Sequence, residues 1–246
     1  MSVKKGDFVL IDYVARVKET GEAFDTTIEK VARDEGVFDD ASVYEPKLVA
    51  VGQGWVLKSL DDALLGLKIG KTSKIEIPPE KGFGTRDPKK IKLVPLRMFR
   101  RQETPHPGMQ VEINGKTAVI RAVGAGRVQV DFNPPLAGKT LVYDLTVRKQ
   151  LKEKKDIVRS MIHRRIQSVK GEDFKLKLTT KRLSVELPKE AFYLEGIQFA
   201  KRGITNDIRK LLPEIKTVTF IETFKEEANQ VTDVKKTKQE KSPASK

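Results

Sequence analysis

The side chains capable of covalent or metal chemistry are few and scattered in this chain. Only two histidines occur; His106 and His163 stand far apart, without the clustered carboxylates or thiolates that a metal centre needs. Cysteine is absent, which excludes disulfides, thiol catalysis and thiolate ligation and fits a reducing compartment. No spacing of Ser, His and Asp suggests a hydrolase. Gly52-Gln53-Gly54 and Gly124-Ala125-Gly126 lack the strand-to-helix setting of a nucleotide fingerprint and read as turns. Neither a cofactor nor a metal is expected. What remains is apolar and aromatic side chains on strands and turns, above all in residues 132–147, FNPPLAGKTLVYDLTV. There Pro134 and Pro135 stiffen a turn, Gly138 relieves it, and Leu141, Tyr143, Leu145 and Val147 recur with the two-residue period of a strand.

The elements that must position such residues follow from the hydrophobic period. Residues 7–18 and 72–77 read as strands, whereas Val56, Leu57, Leu60, Ala63, Leu64 and Leu67 recur at helical spacing, closed by Gly66 and Gly70. One apolar helix laid on a curved antiparallel sheet buries the apolar face of each, an α+β arrangement. The acidic stretch TIEKVARDEGVFDDASVYE is longer than an ordinary connection and is expected to carry a short surface helix. After Gly84 come IKLVPLRMF, MQVEI, KTAVIRAV and RVQVDF, with turns at Asn114-Gly115 and at 124–126. Asn-Gly between alternating segments is a strong hairpin signal, and residues 86–130 read as a small antiparallel β domain inserted in the host fold.

Three pieces stand in a fixed order: KGDFVLIDYVARVKETGEAFDTT, then VGQGWVLKSLDDALLGLKIGKTSKIEIPPEKGFG, then, about fifty residues later, FNPPLAGKTLVYDLTV. This order resembles the FK506-binding (FKBP) type of peptidyl-prolyl cis-trans isomerase, in its SlyD-like branch, and is most similar to the long-chain archaeal members. The resemblance covers residues 3–150. It implies an FKBP-like isomerase domain over 1–85 and 131–150, with 86–130 as the insert-in-flap chaperone domain.

The implied chemistry needs neither nucleophile nor metal. Amide resonance sets a barrier of about 18–20 kcal/mol to rotation; a dry pocket that favours the twisted amide lowers it. Uncatalysed prolyl isomerisation takes tens to hundreds of seconds and can limit folding. The resemblance implies an aromatic wall at Tyr13, and at Phe24 and Asp25 an aromatic followed by an orienting carboxylate. Val56 and Leu57 match the segment whose backbone amide anchors the substrate carbonyl. Leu60 takes the floor, Phe83 the flap, and Leu136 and Tyr143 the rear wall. Each also suits an ordinary core or strand position; their joint order is what distinguishes them.

Departures from the family pattern fall at Phe83, which lacks the hydroxyl of a flap tyrosine, and at Pro134, where many relatives carry His. Lys47 and Ser59 stand where an apolar residue and a glycine are common. Trp55 lies at the pocket's edge with no assigned role. In the insert, Val94, Leu96, Met98, Phe99, Met109, Val111, Ile113 and Ile120 exceed what so small a core needs. Two readings stay open: all are core, or some are exposed to bind unfolded clients.

Beyond residue 150 another unit begins. Leu151, Ile157, Val158, Met161, Ile162, Ile166 and Val169 mark a helix ended by Gly171, followed by strands at 174–178 and 183–187, a helix over 189–212 and a strand at 218–224. A C-terminal α+β domain over 151–225 results, with a disordered basic tail over 226–246. The whole chain carries a net charge of +14, and residues 151–246 hold 23 Lys and Arg against 14 Asp and Glu. Arg164-Arg165, Lys181-Arg182, Lys201-Arg202 and Arg209-Lys210 are therefore phosphate candidates, but without an aromatic stacking motif nucleic acid is the disfavoured partner. With no membrane span, a cytoplasmic protein is expected. The expected function is a prolyl isomerase that also binds unfolded or proline-containing polypeptide; the alternative is a holdase with little catalysis. The C-terminal domain, with no catalytic motif of its own, is a reasonable place for either a homodimer contact or further client contact, and the sequence leaves the oligomeric state open.

Overall fold

A computed structural model describes residues 2–99 and 104–224. The tail expected over 226–246 lies outside the described residues. The elements run β1 (Phe8–Val17), β2 (Ala23–Thr26), α1 (Glu29–Asp34), β3 (Lys47–Ala50), α2 (Lys58–Leu64), β4 (Thr72–Ile77), β5 (Ile91–Pro95), β6 (Gln110–Ile113), β7 (Lys116–Gly124), β8 (Arg127–Asp131) and β9 (Leu141–Leu151). The C-terminal third adds α3 (Lys154–Arg165), β10 (Lys175–Leu178), β11 (Arg182–Glu186), α4 (Ile197–Leu211) and β12 (Thr217–Ile221).

The host sheet is antiparallel and centred on β1. One edge of β1 pairs with β9 from Phe8↔Leu151 to Val17↔Leu141; its other edge is shared by β3 and β2. β4 extends the sheet beyond β9. Because β1 is central it is apolar on both sides. Val9, Ile11, Tyr13 and Ala15 pack with Leu60 and Leu64 of α2, while Phe8 and Leu10 join Leu48, Ala50 and Leu151 against the C-terminal helices. α2 is shorter than its period suggests: Leu65 is already extended, with φ −62° and ψ 128°. The acidic stretch carries the short helix α1, as its composition suggests.

The insert is a four-stranded antiparallel sheet in the order β5-β8-β7-β6. Its Asn114-Gly115 turn has φ of 52° and 72° at the two residues, the doubly positive pattern of a type I′ hairpin. Phe99, Val111, Ile113, Ala118, Ile120, Val128 and Val130 form its core, and Val94, Leu96 and Met109 pack partly buried against it.

The C-terminal unit has the β10-β11-β12 sheet, with β11 and β12 parallel. Two expectations are corrected here. The first helix starts at Lys154, not Leu151, because β9 runs on to Leu151 to complete its ladder with Phe8. The second starts at Ile197: Lys189–Ala191 make one 3-10 turn, and Gly196 at φ 74° separates it from α4. The core of this unit does not stop at its own boundary. Ile157, Val158, Met161 and Ile162 share one cluster with Phe8, Leu48 and Ala50 of the host sheet.

Candidate active site

All nine residues singled out for the pocket line one cavity of about 400 Å3: Tyr13, Phe24, Asp25, Val56, Leu57, Leu60, Phe83, Leu136 and Tyr143. Lys47 and Trp55 complete its lining. β1 and β9 place the two tyrosines, since Ala15 pairs with Tyr143 and Tyr13 with Leu145. Their rings lie 5.7 Å apart, and Phe24 meets Tyr143 edge-on at 6.1 Å and 87°, a geometry aromatic quadrupoles favour. Tyr13, Tyr143 and Leu60 are buried, whereas Phe83 is 42% exposed at the mouth.

Polar groups at this wall are linked in series. The Lys47 ammonium donates to the Tyr13 hydroxyl at 3.2 Å, and that hydroxyl donates to Asp25 Oδ2 at 2.7 Å. Burial first, then the Asp25 charge, pushes the Tyr13 phenol far above its ordinary value. The same two causes push Tyr143 up to about 12. Both phenols therefore stay protonated through the neutral range. Among the described residues the Tyr143 hydroxyl and the Leu57 amide have no partner within the chain, which leaves two donors at the cavity.

The loops that carry the remaining lining are held by specific bonds. Asp61, buried on α2, accepts from Gly52 N at 2.8 Å and Gly54 N at 2.9 Å, fixing the loop that leads into Trp55, Val56 and Leu57. Ser59 Oγ donates to the Lys81 carbonyl at 2.9 Å, tying α2 to the flap that bears Phe83. Gly138 N donates to the Gly84 carbonyl at 2.8 Å, so the turn bearing Leu136 is tied to the same flap. A Cβ at Gly138 would come within 3.1 Å of Arg86 Cβ, with φ at 76°. Only glycine fits there without strain.

The insert leaves and rejoins the host at this flap. Asp131, 1% exposed, accepts from Arg86 Nε at 2.7 Å, Asn133 N at 2.9 Å and Asn133 Nδ2 at 2.7 Å. Asn133 in turn accepts from Asp87 N and donates to the Asp87 carbonyl. Burial opposes the Asp131 charge, but the Asn133 and Arg86 donors outweigh it and hold its carboxyl below the usual value.

The insert residues offered as client contacts divide. Phe99, Val111, Ile113 and Ile120 are buried in the insert's own core and present no surface in this structure; Val94, Leu96 and Met109 are partly buried. Met98 is exposed, as are Leu93 and Val123, which the sequence reading passed over. Their signal was available in the strand alternation: Leu93 adjoins the inward Val94 on β5 and so faces the other side. Asp61 was missed because an acid within a helix normally reads as a solvated position. It falls four residues after Leu57 and one after Leu60, on the inward face.

Among the described residues no group of His, Cys, Asp and Glu could hold a metal ion, and no helix is long and apolar enough to cross a membrane. His163 instead meets Glu45 at 2.7 Å. Of the basic pairs, Arg164 and Arg165 both reach Asp207, and Lys201 reaches Glu222.

Comparison with known proteins covers the chain in three parts. Residues 1–98 match the family model of FKBP-type peptidyl-prolyl cis-trans isomerase. Residues 92–136 match that of the FKBP26 IF domain, and residues 154–225 that of the FKBP26 C-terminal region. The chain is 37% identical over 147 residues to the short-type peptidyl-prolyl cis-trans isomerase of Methanocaldococcus jannaschii, covering 59% of this chain and 92% of that protein. It is 30% identical over 134 residues to a probable FKBP-type 16 kDa isomerase of Pseudomonas fluorescens, covering 52% and 79%. It is also 30% identical over 143 residues to the isomerase SlyD of Helicobacter pylori, covering 56% and 69%. With an aromatic cavity of the implied make-up and these likenesses, the chain belongs to the FKBP-type peptidyl-prolyl cis-trans isomerases.

Proposed function

We propose that the protein is a folding enzyme in which the insert captures unfolded chain and the aromatic cavity turns its X-Pro bonds. The observation that carries the catalytic half is the convergence of the three aromatic rings, Leu60 and two unpaired donors on one cavity. Tyr13, Phe24 and Tyr143 would seat the pyrrolidine ring, and the Leu57 amide would hold the neighbouring carbonyl. Seating the ring in apolar surroundings withdraws water from the planar amide, whose dipole is larger than that of the twisted form; the rotation barrier falls accordingly. Each tenfold of rate needs about 1.4 kcal/mol. No bond is made or broken, which suits a site without a nucleophile.

For the chaperone half, the exposed Leu93, Met98 and Val123 offer apolar contact, and Met suits varied sequences because its side chain is flexible and polarisable. The clamp at Asp131 ties together the two ends of the insert that bears this surface. For the C-terminal unit the proposed partner is a second copy of this chain, on the surface that leaves Tyr193, Phe199 and Phe224 at 85%, 80% and 67% exposure. Light scattering that gives a monomer mass at micromolar concentration would overturn that assembly.

The deciding assay is refolding of a client whose slow step is proline isomerisation, with the full chain and with residues 86–130 replaced by a short linker. The full chain should accelerate refolding strongly, and the deletion should keep activity on short peptides but lose most of its effect on the unfolded client. A holdase with little catalysis would instead suppress aggregation without accelerating the proline-limited phase. Equal action of both forms on the unfolded client would remove the insert from the function.

A further inference from the structure

A second cavity of about 610 Å3 opens beside the first. Tyr13, Phe24, Asp25 and Lys47 line both, so the two cavities adjoin along that rim. The outer wall of the second cavity is the segment between α1 and β3, and its far wall is Ser160, His163 and Arg164 of α3. That outer wall is built by defined contacts. Phe38 stacks on Tyr44 at 5.3 Å and 17°, Arg33 lies 3.6 Å over Phe38, and Asp39 N donates to the Tyr44 hydroxyl at 2.8 Å. Glu45 then reaches His163 at 2.7 Å and joins the segment to α3. α3 also backs one lining residue of the first cavity: the Arg164 guanidinium lies 4.1 Å from the ring centre of Trp55.

A polypeptide with its proline ring in the first cavity must continue in two directions. The shared rim gives one of them a walled path. The charge on that path is decided by which groups are already engaged. Asp25 accepts from Tyr13, Asp39 accepts from Ala41 N and Ser42 Oγ, and Glu45 faces His163. Arg164 lies against Trp55 and 3.8 Å from Asp207. Lys47 differs: its ammonium has three donors, one goes to Tyr13, and among the described residues no carboxylate lies within ion-pairing distance. Lys47 stands at the junction of the two cavities with donors to spare.

Resting on the isomerase reading, we propose that the second cavity takes the polypeptide segment adjoining the proline, and that Lys47 selects an acidic side chain beside that proline. The C-terminal unit thereby contributes a wall to substrate binding through α3. Two peptide series test this on the full chain, one with Glu, Ala or Lys immediately before the proline and one with the same residues immediately after it. Both kcat/KM and Kd are read, the latter from the fluorescence of Trp55, the one tryptophan of the chain.

In one series Glu should exceed Lys by about threefold to fivefold, the size of a partly exposed ion pair. In Lys47→Met that ratio should fall to about one. Equal values for Glu and Lys in both series, or a ratio that survives Lys47→Met, overturn the selection. Failure of the isomerase reading is a separate result, no acceleration with any peptide, and the Kd ratios still decide the role of Lys47. Ser160→Trp, which puts a large ring into the second cavity, tests the path. It should lower the ratio of kcat/KM for a peptide extended by six residues to that for the short one about tenfold. An unchanged ratio overturns the placement of the segment in that cavity.

Discussion

The pocket's polar side chains are few, so each has a separable consequence. The Tyr143 hydroxyl lines the cavity without a partner among the described residues, and with its pKa at about 12 it remains a donor through the neutral range. Tyr143→Phe keeps both ring contacts and removes only that donor. We expect kcat/KM on an X-Pro peptide to fall about threefold to tenfold, the worth of one hydrogen bond, with the melting temperature within about two degrees. Asp25→Ala acts differently. It leaves the buried Tyr13 hydroxyl without its acceptor at 2.7 Å and frees the ring to turn toward Lys47. A loss of about tenfold in kcat/KM is expected, and Asp25→Asn, which restores an acceptor, should recover much of it. At this scale the pocket was legible through the family resemblance, carried residue by residue along the order of the motifs, because each of these residues alone also suits an ordinary core or strand position. Which hydroxyl is free and which is engaged was not legible, since Asp25 and Lys47 approach Tyr13 only through the pairing of β1 with β2 and β3.

Elements place these residues through a small number of buried carboxylates. Asp61 receives two loop amides from inside the helix α2, and Asp61→Ala would strand both. A hydrogen bond to a charged group contributes about 1.5–3 kcal/mol, and two are lost together, so thermal unfolding should show a clear loss of stability. KM should also rise several-fold, because the loop leads directly into Val56 and Leu57. Asp131 plays the corresponding part for the insert. Its carboxyl is held below the usual value, so its contribution to stability is complete above about pH 5, where an unfolded aspartate, with a pKa of about 3.9, is almost fully ionised. That contribution is lost as the pH falls through the lower, folded value. Proteolysis within residues 86–133 should therefore speed up on acidification before the host domain unfolds, whereas Asp131→Asn should already be susceptible at pH 7. Strand and hairpin signals made the insert readable, and Asn114-Gly115 located one of its two-residue turns. The clamp of Arg86, Asp87, Asp131 and Asn133 was hidden because it joins residues about 46 apart at the two ends of the insertion.

For the whole molecule, the core that crosses from the host sheet into the C-terminal unit decides how independent the parts are. The short-type relative of Methanocaldococcus jannaschii matches 92% of its length to only 59% of this chain. In this chain, however, Phe8, Leu48, Ala50 and Leu151 are 1–8% exposed and pack in one cluster with α3 and its neighbours. Truncation after Lys152 would expose that face to water. Each large side chain among them loses roughly 1.5–3 kcal/mol of burial, a sum comparable with the whole stability of a small domain. The truncated form should melt well below the full chain and bind a dye specific for apolar surface. Replacing Phe8 and Leu48 by Thr and Lys should restore solubility to the truncated form while destabilising the full-length protein. A full chain that instead melts in two independent steps, the first leaving the isomerase part intact and soluble, would contradict a shared core. The reading of a C-terminal α+β unit over 151–225 did not include the core that it shares with the host sheet. The nearly unbroken apolar run of β1 carried the missing information: a strand buried on both faces needs two covering layers, and α2 supplies only one.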